Sequence, residues 1–295
     1  MCMHIDTKIH PLAVDPTFLF IGGARCASTW IHACLKDHPD VFVPERTKEV
    51  HFFNRNANWN RGLNWYRGFF KSYNGEHAIG EVTPSYLCHA DSAKRIHRCF
   101  PRARLVINLR DPVERAWSSY HGYVLSGRVC AEEDIENVSR RLALDNQSSI
   151  IEHGFYLKHI ERYLRFFSRD QMLILLYDDL ITSPVDFVKE IYSFLRVDPN
   201  FCPSVLSRRI NENFSTSSIT GRAVRKLNRI GLRVKPLWPR AHMFYESALR
   251  RLRDQVVPRV NTKVPADIAG QLSDVYGEEN ERLAKFLGRD LSAWQ

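Results

Sequence analysis

A short stretch near the start of the chain combines side chains that suit the binding of an anion. It runs from Gly22 to Trp30 and holds Arg25, Ser28 and Thr29 directly after an apolar run. From Trp30 onward the apolar residues recur at helical spacing, so Ser28 and Thr29 stand at a predicted helix start. Unpaired backbone N–H groups at the start of a helix attract anions, and hydroxyl and guanidinium groups add donors and positive charge. The stretch therefore predicts a site for a phosphate or sulfate group.

Two familiar nucleotide-binding motifs fit this stretch poorly. A Walker A loop requires a lysine directly before its serine or threonine, and Ala27 stands before Ser28. A dinucleotide-binding turn requires three spaced glycines, whereas the turn offers only Gly22 and Gly23. The anion site is therefore predicted without a match to either motif.

A second stretch, Lys48–Phe53, contains Glu49 and His51. If the stretch is extended, alternation places these two titratable side chains on one side and apolar residues on the other. Two alternatives are open here. Glu49 could simply pair with Lys48 or Arg46, and His51 could be a buried residue with a hydrogen bond of its own.

A third stretch follows the clearest buried strand of the sequence, Arg104–Arg110. Asp111 and Pro112 come next, and proline in the first turn is typical of a helix start. The pattern predicts a second strand, turn and helix, with Arg110 at the strand end and Ser118 inside the helix.

Strands that alternate with helices must position these stretches. The predicted strands include Phe18–Ile21, His77–Val82, Arg104–Arg110 and Met172–Tyr177. The alternation predicts an α/β fold, of a P-loop-like, three-layer kind with a central parallel sheet flanked by helices. Ligands of such sheets gather at the carboxyl ends of the strands, where we expect Arg25, Glu81 and Arg110.

The composition is that of a globular protein with excess positive charge. The 295 residues are 44% hydrophobic and carry a formal net charge of +9, which favours anionic partners. The segment Gly221–Arg240 holds seven lysines and arginines and no acidic residue. It is either a solvated basic helix that covers the core or a surface for an acidic acceptor, a protein partner or a membrane.

The cysteines and the N-terminus bear on location. Seven cysteines without paired spacing favour reduced thiols. The first residues lack the pattern of a signal peptide, and no apolar run approaches the ~20 residues of a membrane span. We expect a cytoplasmic protein with no transmembrane segment and no nucleic-acid partner, and we make no prediction of oligomeric state.

Four stretches in order resemble the PAPS-dependent sulfotransferase family, in particular the heparan sulfate sulfotransferases and their soluble bacterial relatives. PAPS, 3′-phosphoadenosine 5′-phosphosulfate, is the sulfate donor of that family. The stretches are Gly22–Trp30, Lys48–Phe53, Gly80–Tyr86 and Leu109–Tyr120. The resemblance implies a single sulfotransferase domain over residues 1–295, with a PAPS-binding core at about 15–200 and a helical, basic C-terminal part at about 205–295.

The resemblance implies that the first and last stretches bind the donor. The loop would hold the 5′-phosphosulfate, Arg110 and Ser118 would bind the 3′-phosphate, and Trp30 would stack on adenine. The implied donor-binding residues are Arg25, Cys26, Ala27, Ser28, Thr29, Trp30, Arg110, Ser118 and Tyr156. For Trp30 and Tyr156 the alternative is a place in the core.

The resemblance also implies the catalytic roles. Glu49 would accept the proton of the acceptor, and His51 would orient the acceptor or the base. Glu81 would contact the acceptor or pair with Arg25. No metal is implied, because positive groups already offset the charge that grows on the leaving phosphate.

Two positions depart from the family pattern. The family usually has lysine where Arg25 stands, and since arginine stays protonated we assign Arg25 electrostatic stabilisation rather than acid catalysis. The heparan-modifying enzymes carry lysine where Val82 stands, which weakens an inference to a heavily sulfated polysaccharide acceptor.

The implied function is in-line transfer of a sulfuryl group from PAPS to a hydroxyl or amine of a small metabolite or carbohydrate. Two alternatives are kept. A P-loop kinase or NTPase would use ATP with Mg²⁺. A non-catalytic protein would bind polyanions through residues 221–240.

Overall fold

The computed structural model describes residues 14–45, 47–125, 135, 137, 150–207 and 263–294. The chain divides into two compact units. The first comprises residues 1–109 and 160–207, and the second comprises residues 110–159 and 208–295. The basic segment Gly221–Arg240 lies outside the described residues. The prediction of a single domain stays a prediction.

A five-stranded parallel sheet forms the centre of the first unit. Its strands are β1 (Phe18–Gly22), β2 (Val41–Phe42), β3 (Ala78–Val82), β4 (Arg104–Leu109) and β5 (Met172–Leu176). Their order across the sheet is β2-β3-β1-β4-β5. The predicted α/β fold with a central parallel sheet is confirmed.

The strands form in runs of mainly apolar residues, and the polar residues inside these runs, Glu81 of β3 and Asn108 of β4, are buried. All residues of β1 and β3 are buried, as are those of β4 after Arg104. Parallel strands covered by helices on both faces require such continuous runs. These runs were therefore the clearest strand predictions.

Helices connect the strands. In the described residues they are α1 (Ser28–Asp37), α2 (Asn56–Trp59), α3 (Leu63–Arg67), α4 (Ser92–Cys99), α5 (Pro112–Leu125), α6 (Tyr156–Leu164), α7 (Tyr177–Thr182), α8 (Pro184–Leu195) and α9 (Ala266–Leu287). None of these is both long and apolar enough to cross a lipid bilayer. The cytoplasmic location stays a prediction.

The position of β1 marks the ligand end of the sheet. From β1 the chain builds β2 and β3 on one side and then crosses to β4 on the other. In sheets of this class, ligands bind beyond the strand ends at the point where the strand order reverses. The loop after β1 occupies that point.

The second unit has an apolar core of its own. Val113 and Ala116 of α5 belong to one buried cluster with Leu272 and Tyr276 of α9. The Tyr276 hydroxyl donates to the carbonyl of Ile151 at 2.8 Å. These contacts join α9 to the chain that precedes α6.

Candidate active site

The loop between β1 and α1, residues 23–27, is tied to the end of β4. The N–H of Gly23 donates to the carbonyl of Asn108 at 2.7 Å, and the Asn108 side-chain amide donates to the carbonyl of Cys26 at 2.9 Å. Asn108 is fully buried, so water does not compete for these bonds. Both ends of the loop are therefore fixed.

The run of β1 ends at glycine because the chain packs closely there. A Cβ atom on Gly22 would lie 2.5 Å from the Cβ of Leu87. The N–H of Leu87 donates to the carbonyl of Ile21 at 2.7 Å, which holds the two segments together. A larger residue at this position would push the loop away from the sheet.

The loop backbone presents N–H groups. Arg25 and Ala27 are left-handed, with φ of 70° and 56°. Such residues in a turn direct successive N–H groups toward one side and create a concave surface for anions. The first bond of α1 runs from the N–H of Ile31 to the carbonyl of Ala27, so the N–H groups of residues 28–30 have no acceptor within the helix. This geometry suits the predicted anion site.

The ammonium group of Lys48 lies at the start of α1. Its Nζ donates to Ser28 Oγ at 3.0 Å and to Thr29 Oγ1 at 3.1 Å, and it lies 3.4 Å from Glu49 Oε1. Burial lowers the pKa of Lys48; the charge of Glu49 opposes this effect and the charge of Arg25 adds to it. Lys48 therefore brings positive charge to the N–H groups of the loop.

Glu49 and His51 are in contact. His51 Nε2 lies 3.3 Å from Glu49 Oε2. Burial favours a higher pKa for Glu49, but the hydrogen bond from His51 and the charge of Lys48 outweigh it, so the pKa is lowered. The Glu49 side chain is 34% exposed, which leaves an ionised carboxylate open to a ligand. An ionised, accessible carboxylate is suited to accept a proton.

Side chains, not a strand ladder, hold the Lys48–Phe53 segment. The N–H of Val50 donates to Glu81 Oε2 at 3.3 Å, and the N–H of Phe52 donates to the Tyr86 hydroxyl at 3.0 Å. Val50 and Phe52 are buried, whereas the side chains of Glu49 and His51 are partly exposed. The alternation expected for an extended segment is therefore present, although His51 is left-handed with φ of 55°.

Glu81 is the centre of the network under this segment. Its carboxylate is fully buried and accepts hydrogen bonds from Tyr66 at 3.1 Å, Tyr86 at 2.7 Å and Thr83 at 2.5 Å, besides Val50. Burial raises the pKa of Glu81, and the donors oppose that effect. Glu81 thus supports the segment from inside the protein, and its predicted contact with an acceptor stays a prediction.

Two residues predicted to bind the donor are packed inside the first unit. Cys26 is fully buried, and its carbonyl oxygen accepts a hydrogen bond from the side-chain amide of Asn108. The Trp30 ring lies 6.2 Å from the ring of Phe187 in α8 and is half-buried. Stacking of Trp30 on adenine stays a prediction.

The second unit contains the other predicted donor residues. Arg110 forms an ion pair with Glu114 at 2.6 Å. Tyr156 is 1% exposed, and its hydroxyl donates to the carbonyl of Arg110 at 2.7 Å. Ser118 is half-buried on α5, about two turns after Arg110. Tyr156 therefore holds the backbone of Arg110 in place through this hydrogen bond.

Several site residues were not predicted. Asn108, Tyr66 and Tyr86 act through buried side chains, and a hydrogen bond between distant residues leaves no local pattern. Lys48 had a signal: it precedes Glu49 in a chain whose anion loop has arginine in place of the family's lysine. Among the described residues, no group of three or more histidine, cysteine or acidic side chains is arranged to hold a metal ion.

Comparison with known proteins agrees with the motifs. Residues 15–241 match the sulfotransferase domain family. The mouse bifunctional heparan sulfate N-deacetylase/N-sulfotransferase 4 is 28% identical over 207 residues, which cover 63% of this chain and 23% of that protein. Human heparan sulfate glucosamine 3-O-sulfotransferase 5 is 26% identical over 202 residues, which cover 66% of this chain and 57% of that protein. The chain therefore spans only part of the length of these relatives.

A solved structure shares the fold. The crystal structure of a sulfotransferase from Alicyclobacillus acidocaldarius superposes with a TM-score of 0.70 and 23% identity, over 95% of this chain and 99% of that one. At this identity the likeness concerns the fold. The sulfotransferase domain match extends over more than half of the chain, from residue 15 to residue 241. The chain belongs to the sulfotransferase family.

Proposed function

We propose that this protein transfers a sulfuryl group from PAPS to a hydroxyl or amine of a small metabolite or carbohydrate, with Glu49 as general base and without a metal ion. One observation carries the proposal. The side chain of Lys48 contacts both hydroxyls at the start of α1 and lies beside Glu49, so the anion loop and the base are neighbours.

Donor binding follows from the groups at the loop. The N–H groups of residues 28–30, the hydroxyls of Ser28 and Thr29 and the charge of Lys48 suit the 5′-phosphosulfate. Arg25 adds a permanent charge. In the second unit, Arg110 and Ser118 provide a guanidinium and a hydroxyl for the 3′-phosphate.

The chemistry requires one base and a stabilised leaving group. PAPS supplies an activated sulfuryl group. Glu49 takes the proton of the acceptor as the acceptor oxygen or nitrogen attacks sulfur. His51 holds the Glu49 carboxylate in place through their 3.3 Å contact. Arg25 and Lys48 offset the negative charge on the departing phosphate, as positioned cations do in other group transfers.

The acceptor class is proposed from the relatives. Two of them are named for sulfation of heparan sulfate, one at nitrogen and one at oxygen. A sugar hydroxyl or amine is therefore a reasonable acceptor for this chain. Val82 stands where those enzymes carry lysine, so a small or weakly charged acceptor fits better than a highly sulfated polymer.

Replacement of the base tests the proposal. Glu49→Gln keeps the size of the side chain but cannot accept a proton, so turnover should fall by about 100-fold or more. Binding of 3′-phosphoadenosine 5′-phosphate (PAP), measured by calorimetry, should change by less than about 3-fold, because Glu49 does not bind the donor. Turnover is followed as PAP formed from PAPS with a pool of phenols, amino sugars and a metabolite extract, called the acceptor pool below.

The matched control is Glu45→Gln, the same change at an exposed position nearby. It should leave turnover unaltered. Turnover of Glu49→Gln at the rate of the unmodified protein would show that another group is the base.

A further inference from the structure

Two cations stand near the start of α1, and they differ in chemistry. The Lys48 ammonium donates to Ser28 and Thr29, and its side chain is 23% exposed. Arg25, in the loop, is exposed. A guanidinium stays protonated under all ordinary conditions, whereas an ammonium group can lose its proton and regain it. Only Lys48 of these two can therefore transfer a proton.

The position of Lys48 also links it to the base. Its Nζ lies 3.4 Å from Glu49 Oε1, while the same nitrogen contacts both hydroxyls that frame the unpaired N–H groups of α1. An anion held by those N–H groups would contact the Lys48 ammonium. The Lys48 side chain thus lies beside the anion site, which would bind the leaving phosphate, and beside Glu49, which would accept the proton of the acceptor.

We infer that Lys48 is a catalytic residue that protonates the oxygen leaving sulfur, and that Arg25 only binds charge. The inference rests on the proposed function. The inference adds a general acid to the proposed reaction and identifies Lys48 as the source of the proton that the leaving oxygen receives.

The step balances. The acceptor O–H or N–H bond breaks, a bond from that atom to sulfur forms, and the bond from sulfur to the bridging oxygen of PAPS breaks. The electron pair stays on the bridging oxygen, which becomes an oxygen of the 5′-phosphate of PAP. Lys48 gives this oxygen a proton, and Glu49 takes the proton of the acceptor. Glu49 then returns that proton to Lys48 across their 3.4 Å contact.

The charged groups near Lys48 allow an alkaline change in kcat to be assigned to loss of the Lys48 proton. Burial lowers the pKa of His32 to about 4, and the pKa of Glu49 is lowered by His51 and Lys48 against the effect of burial. Arg25 does not deprotonate. Among the described residues, no other charged group that acts on Lys48 therefore loses its proton above neutral pH. Loss of the Lys48 proton should lower kcat at alkaline pH. Because burial lowers the pKa of Lys48, this decline should occur at a lower pH than for an ordinary lysine.

Two substitutions of Lys48 test the inference. Lys48→Arg keeps the charge but cannot release a proton. We expect PAP affinity within about 3-fold of the unmodified protein and a fall in kcat of about 100-fold. The alkaline decline in kcat should be absent in this variant. Lys48→Met should lose both PAP affinity and kcat. All are measured with PAPS and the acceptor pool.

The matched controls are Lys36→Arg and Lys36→Met, at an exposed lysine in the last turn of α1. Both should behave as the unmodified protein. Unchanged kcat in Lys48→Arg, or an alkaline decline that persists there, would overturn the inference while the proposed function stands. If the unmodified protein forms no PAP, the proposed function fails and the inference fails with it.

Discussion

At the scale of single residues, the charge balance around Lys48 and Glu49 decides the chemistry. Each is partly buried and lies within 3.4 Å of the other, so each shifts the pKa of the other toward its ionised form. The His51 contact adds to this effect on Glu49. The base is therefore ionised at neutral pH, and the cation beside it is held where an anion would bind.

Ser118 provides a prediction at this scale. If its hydroxyl binds the 3′-phosphate, Ser118→Ala should weaken PAP binding by about 10- to 100-fold, because a hydrogen bond to a charged group contributes about 1.5–3 kcal/mol. Binding of AMP, which has no 3′-phosphate, should not change. Calorimetry with both nucleotides measures the difference.

The neighbouring serine is the control for this prediction. Ser119 accepts a hydrogen bond from Arg115 at 3.3 Å, and Ser119→Ala should affect PAP and AMP equally. Equal loss of both nucleotides in Ser118→Ala would mean that Ser118 has no specific role at the 3′-phosphate.

At the scale of elements, the site consists of two irregular segments fixed by strands. Side chains from the end of β3 and the turn after it hold the Lys48–Phe53 segment, and Asn108 of β4 holds the loop after β1. Irregular backbone has no ladder partners, so its polar groups need side-chain partners when buried. The buried hydrogen bonds of Glu81 and Tyr86 meet that need.

The Tyr86 hydroxyl allows this network to be tested. It donates to Glu81 and accepts from the N–H of Phe52, so Tyr86→Phe leaves the N–H of Phe52 without this acceptor. The free energy of unfolding should fall by about 1–3 kcal/mol, measured by urea denaturation. Turnover should also fall, since the segment that carries Glu49 is less firmly held.

Tyr73→Phe is the matched control, because Tyr73 packs edge-on against Phe42 outside this network. It should alter the free energy of unfolding by less than about 0.5 kcal/mol. An effect of Tyr86→Phe no larger than that of the control would contradict the role given to the network.

The elements could be predicted from the sequence better than the contacts between them. Apolar runs marked β1, β3, β4 and β5, because strands buried on both faces are mainly apolar; Glu81 and Asn108 are buried polar exceptions in β3 and β4. Alternation also placed Glu49 and His51 on one side of their segment. Lys48 is 20 and 19 positions from Ser28 and Thr29, and Glu81 is 31 positions from Val50. No local periodicity encodes contacts between residues so far apart.

At the scale of the whole molecule, the order β2-β3-β1-β4-β5 places the anion loop where the strand order reverses. The alternation of strands with helices predicted a parallel sheet, but it did not predict the order of the strands. The identity of the acceptor could not be predicted from the sequence, because it depends on the shape of a surface rather than on a motif. Of the alternatives, a kinase or NTPase would require Mg²⁺ and ATP, whereas the proposed transfer uses cations of the protein itself.

The most direct measurement of the central claim is transfer of ³⁵S from labelled PAPS to the acceptor pool in the presence of EDTA, with PAP quantified in the same samples. We predict one PAP for each labelled product, undiminished by the chelator, and no use of ATP when Mg²⁺ is supplied. Absence of both PAP and labelled product, or Mg²⁺-dependent turnover of ATP instead, would contradict the account.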